Sequence, residues 1–264
     1  MKGVIFQDMK NKFSLMMIFL LMLSSSCSYS SEMPGIKVVS VEVEGNERIS
    51  AEDILDLANT KPGEILSNDV IESDIEAIYS QGFFSYVDAD VKPEGEGAAV
   101  VFSVKENPII ESVNFSGNSL YTSEQLMNGA LSQVGTVFNR KFLRKDLERI
   151  QDKYSSDGYV MARVSDVKIE GGNLYVTILE PAVRNITVTG LSEASSPDVL
   201  QEIKGCEGKA FDINFFRRQI LKLDSSGYYE DIDIAFDTPE SNDAFVDITI
   251  TLKTKGESTT SQEE

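Results

Sequence analysis

The chain has no histidine, no tryptophan and only two cysteines in 264 residues. Without histidine, Ser-His-Asp and Cys-His nucleophilic arrangements and imidazole metal sites are excluded. Positive charge is also scarce, with 24 Lys and Arg against 43 Asp and Glu and a net charge of −19. Nucleic acid is therefore not an expected partner, because such binding depends on neutralising phosphates with basic side chains. The 18 glycines form neither a GxGxxG nor a Walker pattern, so no nucleotide cradle is expected. Carboxylate pairs such as Asp88 and Asp90 belong on solvated faces in so acidic a chain. No catalytic residue, cofactor or metal ligand is assigned, and the chain reads as a non-enzyme.

Long apolar runs are missing too, except near the N-terminus. Lys10 and Lys12 precede an apolar run from Phe13 to Leu23, too short to span a bilayer, and Ser24, Ser25 and Ser26 follow. Residues 1–30 read as a secretory signal peptide, with Met9 as an alternative start. Cys27 follows the serines as in a bacterial lipoprotein processing site, although Leu23 lies four residues before it where that pattern favours three. Two readings stand: acylation at Cys27, or ordinary cleavage near Ser26 or Ser30. Removal of residues 1–26 leaves a net charge of −21, from 24−3 basic and 43−1 acidic residues. Cys206 is then the one cysteine of the folded part, and it reads as a small buried apolar residue.

A stretch of 72 residues (36–107) is written three times. Gly45, Gly117 and Gly190 lie 72 (117−45) and 73 (190−117) residues apart, and Gly63, Gly135 and Gly208 repeat both spacings. A third set, Gly82-Phe83-Phe84, Gly158-Tyr159 and Gly227-Tyr228-Tyr229, drifts by a few residues, as surface insertions would cause. The expected divisions are 36–107, 108–181 and 182–254, jointed at Asn107-Pro108 and Glu180-Pro181, with a disordered tail over 255–264.

Each copy reads strand, helix, helix, strand, strand, an α+β pattern. In the first, Val39, Val41 and Val43 alternate with polar residues, and Ser50 starts a short helix. Ser67 caps a second helix in which Val70, Ile71, Asp74, Ile75, Ile78 and Tyr79 share a stripe. A hairpin of Tyr86–Val91 and Val100–Val104 closes the copy. The second copy substitutes a Thr122–Gln125 capping box, Asn139 as cap, a stripe that includes Asp146, and a hairpin around Gly171-Gly172. The third has Ser195-Ser196-Pro197 and Asp212 as helix starts.

Within each hairpin the last strand is apolar enough to be central, whereas the preceding one carries charge on one side and reads as an exposed edge. These edges are Tyr86, Val87, Asp88, Ala89, Asp90 and Val91; Val160 to Lys168, including Ala162 and Val164; and Asp231 to Phe236, including Ile232 and Ile234. An open edge can accept another extended chain. A second candidate is a basic cluster on one helix, Arg140, Lys141, Arg144, Lys145 and Arg149, with Arg217 and Arg218 at the equivalent place in the third copy. It fits either a solvated helix face or a dock for an acidic partner or lipid headgroups.

This three-fold register behind an export signal resembles the POTRA domains of the BamA family of outer-membrane assembly proteins. Val43-Glu44-Gly45-Asn46, Phe115-Ser116-Gly117-Asn118 and the segment from Gly158 to Val164 carry the likeness, which extends from Ile36 to Thr254. The resemblance implies three βααββ modules, each a three-stranded mixed sheet of order 1-3-2 covered by two helices. It implies a periplasmic scaffold at the outer membrane whose second strands hold unfolded or nascent outer-membrane proteins. A separate BamA-like barrel or assembly lipoproteins would be further partners, and cofactors none. Ten residues after the third copy the sequence shows no barrel, so barrel activity is not carried over. The alternative is a structural spacer or surface lipoprotein that holds nothing.

Overall fold

The computed structural model describes residues 35–190, 197–239 and 242–255. Cys27 with the leader, Ser195 and Ser196, and the tail from residue 256 lie outside the described residues. The first sheet contains β1 (Val38–Glu44), β2 (Phe84–Glu94) and β3 (Gly97–Glu106), with α1 (Ala51–Leu55) and α2 (Asn68–Ser80) between β1 and β2. The second contains β4 (Ser112–Ser116), β5 (Arg163–Glu170) and β6 (Asn173–Leu179), with α3 (Ser123–Met127) and α4 (Arg140–Ser156). The third contains β7 (Ala182–Thr189), β8 (Tyr229–Asp237) and β9 (Phe245–Thr254), with α5 (Pro197–Lys204) and α6 (Ile213–Ser225). Every sheet has the order first, third, second, with a parallel and an antiparallel pairing on the central strand.

Period-two alternation puts one side of each sheet against its helices. Val41 and Val43 of β1, Val87 and Ala89 of β2, and Val100, Phe102 and Val104 of β3 pack with Ile54 of α1 and Ile71 and Ile78 of α2. The same arrangement gathers Leu126, Ile150, Tyr154, Leu174, Val176 and Ile178 in the second core and Ile203, Phe211, Phe216, Leu223, Ile248 and Ile250 in the third. Each fully buried side chain of this size adds about 1.5–3 kcal/mol, which a module of this length needs to offset chain entropy. Cys206 is a free, buried member of the third core, and burial pushes its thiol up to about 11.

The glycine columns have separate physical causes. Gly45, Gly117 and Gly190 have φ of +86°, +77° and +73°, and a methyl at any of them would overlap the carbonyl oxygen of Val104, Ile178 or Leu252 on the central strand. Only glycine allows the chain to leave the first strand this close to its neighbour. Gly63, Gly135 and Gly208 instead donate their N–H to Val38, Ile110 and Val183 at 2.7–2.8 Å, closing the start of the first strand with the segment between the helices.

Most helix starts follow the sequence signals. Ser50 Oγ accepts from Asp53 N, Thr122 and Gln125 form a reciprocal capping box, and Asn139 and Asp212 each accept two backbone N–H groups. Ser67 sits at the N-cap of α2 but makes no side-chain cap bond, contrary to its expected role. Asp74 and Asp146 are not stripe members by apolarity. Buried on their helices, they receive the loop after the first helix: Asp74 accepts from Asn59 N, Asn59 Nδ2, Thr60 N and Thr60 Oγ1, and Asp146 from Leu131 N and Ser132 N. Gln219 takes that position in α6.

A second carboxylate clamp closes the other end. Glu106, last in β3, accepts from the N–H groups of Glu47, Arg48 and Ile49 at 2.8–2.9 Å, and Glu180 accepts from Ser119, Leu120 and the Tyr154 hydroxyl. Burial alone would raise the Glu106 carboxyl, but the three backbone donors outweigh it and hold it below the usual range. A carboxyl depressed by folding stabilises above its unfolded pKa of about 4.3, and that contribution disappears as pH falls through the lower folded value. Glu106→Gln is therefore expected to flatten the acid limb of stability below about pH 4.3, measured by urea midpoints across pH 3–6.

Candidate functional site

In a sheet ordered first-third-second, the second strand bonds its neighbour on one side and leaves the other row of backbone groups unpaired. That makes β2, β5 and β8 edges, as the charge pattern suggests. Tyr86, Val87, Asp88, Ala89, Asp90 and Val91 lie within β2, Val164 within β5, and Ile232 and Ile234 within β8. Val160 and Ala162 do not belong to the edge. Past Gly158 the chain makes a turn in which Ala162 N donates to Tyr159 O, so β5 starts at Arg163; Ala162 is buried in the core and Val160 is exposed on the turn.

The edges are partly blunted by their own chemistry. Asp88 Oδ1 accepts from Ala89 N at 2.9 Å and Asp231 Oδ1 from Ile232 N at 3.0 Å, so two edge donors are held by the preceding carboxylate. The Tyr86 hydroxyl donates to Asp88 Oδ2 at 2.7 Å, and that bond raises the Tyr86 pKa. All three edges carry a register shift near their start, at Phe84/Tyr86, Val164/Asp166 and Tyr229/Asp231. Bulges and acidic residues of this kind restrain uncontrolled edge-to-edge pairing. Beyond the bulge, β2 offers an extended stretch to Glu94, with the faces of Val87 and Ala89 turned to the core and Tyr86 and Val91 exposed.

The basic cluster is not one surface. Arg140 lies over the Tyr79 ring, 4.4 Å from its centroid, and donates to Tyr79 Oη and Phe84 O; Arg149 donates to Leu126 O at 2.6 Å. Both serve the fold, because α4 places them against the preceding module and the end of α3. Lys141, Arg144 and Lys145 remain exposed, with Arg144 3.7 Å from Glu148. On α6, Arg217 and Arg218 are exposed and Arg218 lies 3.8 Å from Asp212.

What sequence reading missed is the role of Asp74 and Asp146 as acceptors for the loop, and of Glu106 and Glu180 as clamps. Their spacings of 72 (146−74) and 74 (180−106) were the available signal, with Asp74 and Asp146 each interrupting an otherwise apolar helix stripe.

The POTRA family model, described as a surface antigen variable number repeat, matches residues 36–107 and 108–180. The chain belongs to the POTRA family. The BamA outer-membrane protein assembly factor of Nitratidesulfovibrio vulgaris is 25% identical over 173 residues, covering 62% of this chain and 22% of that protein. A putative outer membrane protein assembly factor of Treponema pallidum is 23% identical over 205 residues, covering 74% of this chain and 24% of that protein. The chain thus spans less than a quarter of the length of these two relatives. The N-terminal domain of Omp85 from Thermosynechococcus elongatus shares the fold with a TM-score of 0.72 at 22% identity, covering 84% of this chain and 98% of that one. POTRA1-3 of Omp85 from Anabaena gives 0.60 at 21% identity, covering 83% and 96%.

Proposed function

We propose that this chain acts in the periplasm, beside the outer membrane, as a POTRA scaffold for outer-membrane protein assembly. In this reading it holds segments of unfolded outer-membrane proteins as an added strand on β2, β5 or β8, with 36–107, 108–181 and 182–254 as the working modules. A separate BamA-like barrel or assembly lipoproteins would receive the client, and the leader would export the chain, with or without acylation of Cys27. The observation that supports it is the open outer row of each second strand, in a chain whose relatives include proteins named as assembly factors.

The energetics suit transient holding. About four edge hydrogen bonds at about 0.5–1.5 kcal/mol each give a few kcal/mol, or roughly millimolar affinity from one module. The spacer reading has one observation in its favour, the carboxylates that occupy edge donors at Ala89 and Ile232. Photo-crosslinking probes at the exposed edge positions Asp90, Lys168 and Asp233 in cells separate the two: adducts to β-barrel precursors are expected, and their absence from all three edges of a folded, exported protein would leave the spacer. Asp88→Ala frees the Ala89 N–H and should raise the adduct yield at this edge about five-fold, worth ~1 kcal/mol, whereas Ala89→Pro removes that donor and should lower it.

A further inference from the structure

The loop before α4 and the first turns of that helix differ in chemistry from their counterparts in the first module. Leu131 N donates to Asp146 as Asn59 N donates to Asp74, which fixes the correspondence at 72 (131−59) residues. At that spacing Leu131 stands for Asn59, Val134 for Pro62, Lys141 for Asp69, Arg144 for Glu72 and Lys145 for Ser73. All of these residues are exposed. The first module thus shows water a polar loop and a helix, α2, without Lys or Arg, whereas the second shows two aliphatic side chains and three cations.

The exchange does not serve the helix. The positive pole of a helix N-terminus favours acids, as at Asp69 in the first turn of α2, yet α4 has no acid in its first turn. Arg140 is accounted for by its bonds to Tyr79 Oη and Phe84 O, but Lys141 and Lys145 lie one turn apart on the outer face, with Arg144 beside them. Asp146 ties the loop to α4 next to Lys145, and from that loop Leu131 is 44% and Val134 61% exposed. The third module keeps Arg217 and Arg218, but Lys204 and Glu207 stand where the second has Leu131 and Val134, so its loop lacks the aliphatic pair.

We propose that Leu131, Val134, Lys141, Arg144 and Lys145 form a contact with a membrane surface that contains anionic phospholipids. The two aliphatic side chains enter the boundary between headgroups and acyl chains, and the three cations meet lipid phosphates. A fluid surface suits this set, because isolated aliphatic tips among long cationic side chains need no matching cavity in a partner. The rest of the chain is acidic, but at about 0.1 M salt a charge acts over about 10 Å, so cations touching the surface outweigh acids held farther from it. The contact holds the second module at the bilayer. It rests on the proposed place beside the outer membrane and not on strand capture.

The test uses the chain from Ser31, which lacks the leader and Cys27 and retains all three cores, whose residues run from Val38 to Leu252. Flotation with vesicles of phosphatidylethanolamine and phosphatidylglycerol is expected at about 0.1 M salt, and none with vesicles of phosphatidylcholine alone. Lys141→Ser combined with Lys145→Ser should lower the bound-to-free ratio about 25-fold, at about five-fold for each cation. Val134→Ser should lower it about ten-fold, for one aliphatic side chain withdrawn from the lipid. Both variants change exposed side chains and should keep the urea midpoint. Absence of flotation, equal flotation with phosphatidylcholine, or binding unchanged by either variant would each overturn the proposal. Crosslinks from Lys145 to an acidic protein, without flotation, would assign the surface to a protein partner and overturn it as well. Adducts from the Asp90 edge probe do not depend on any of these outcomes, so failure here leaves strand capture standing.

Discussion

Gly117→Ala is expected to lower the stability of the second module by about 4 kcal/mol, the sum of a strained left-handed residue at 1–3 kcal/mol and an overpacked contact at 1–3 kcal/mol. At φ +77° the added methyl would meet the Ile178 carbonyl, backbone of the central strand that cannot rotate away as a side chain could. Relief requires β4 to separate from β6, and with it the register that puts Val113 and Phe115 against the core. Gly135→Ala supplies the internal control. Its φ of +87° is similarly left-handed, but a side chain there meets nothing within 4 Å, so only the conformational strain of about 1 kcal/mol should appear. Urea unfolding followed by amide exchange in β4 and β6 measures both, and equal losses would refute the carbonyl clash as the cause.

Asp74→Ala is expected to cost about 3–5 kcal/mol, because it leaves the buried donors of Thr60 and the partly buried N–H of Asn59 without an acceptor. A module of this size has a total stability of roughly 4–11 kcal/mol, so the loss removes about a quarter or more of it and unfolds the first module at the lower end of that range. Asp146→Ala removes the acceptor of two N–H groups rather than four donors, and about half the loss is expected. Asp74→Asn keeps an acceptor oxygen and most of the volume, and it should recover part of the stability. Amide exchange at Asn59 and Thr60 reports the local effect directly. Unchanged protection in Asp74→Ala would mean that water replaces the carboxylate at little cost.

The repeat made the fold legible. Alternating valines, capping residues and glycines in 72- and 73-residue register specify strand, helix, helix, strand, strand, because these signals act within a few residues of themselves. The charge on Asp88 and Asp90 against the apolar run Val100–Val104 also marked which hairpin strand is the edge, since a central strand is covered and an edge is wetted. The turn at Val160–Ala162 escaped that reading because Val160 and Val164 mimic strand alternation, while the hydrogen bond that makes the turn leaves no pattern in composition.

The sequence by itself determined the local elements, their three-fold recurrence and the absence of histidine chemistry, all of which depend on residue type and short spacing. Only the tertiary structure decided what the glycines and acids do. Gly45 makes room for a carbonyl 59 (104−45) residues away, Gly82 for the cap of the next module, and Asp74 and Glu106 bind loops 14 to 59 residues away. It likewise divided the basic cluster, sending Arg140 to Tyr79 and Arg149 to Leu126 while leaving Lys141 and Lys145 in water. Such partners are set by how sheets and helices meet in space, where sequence separation has no bearing on distance.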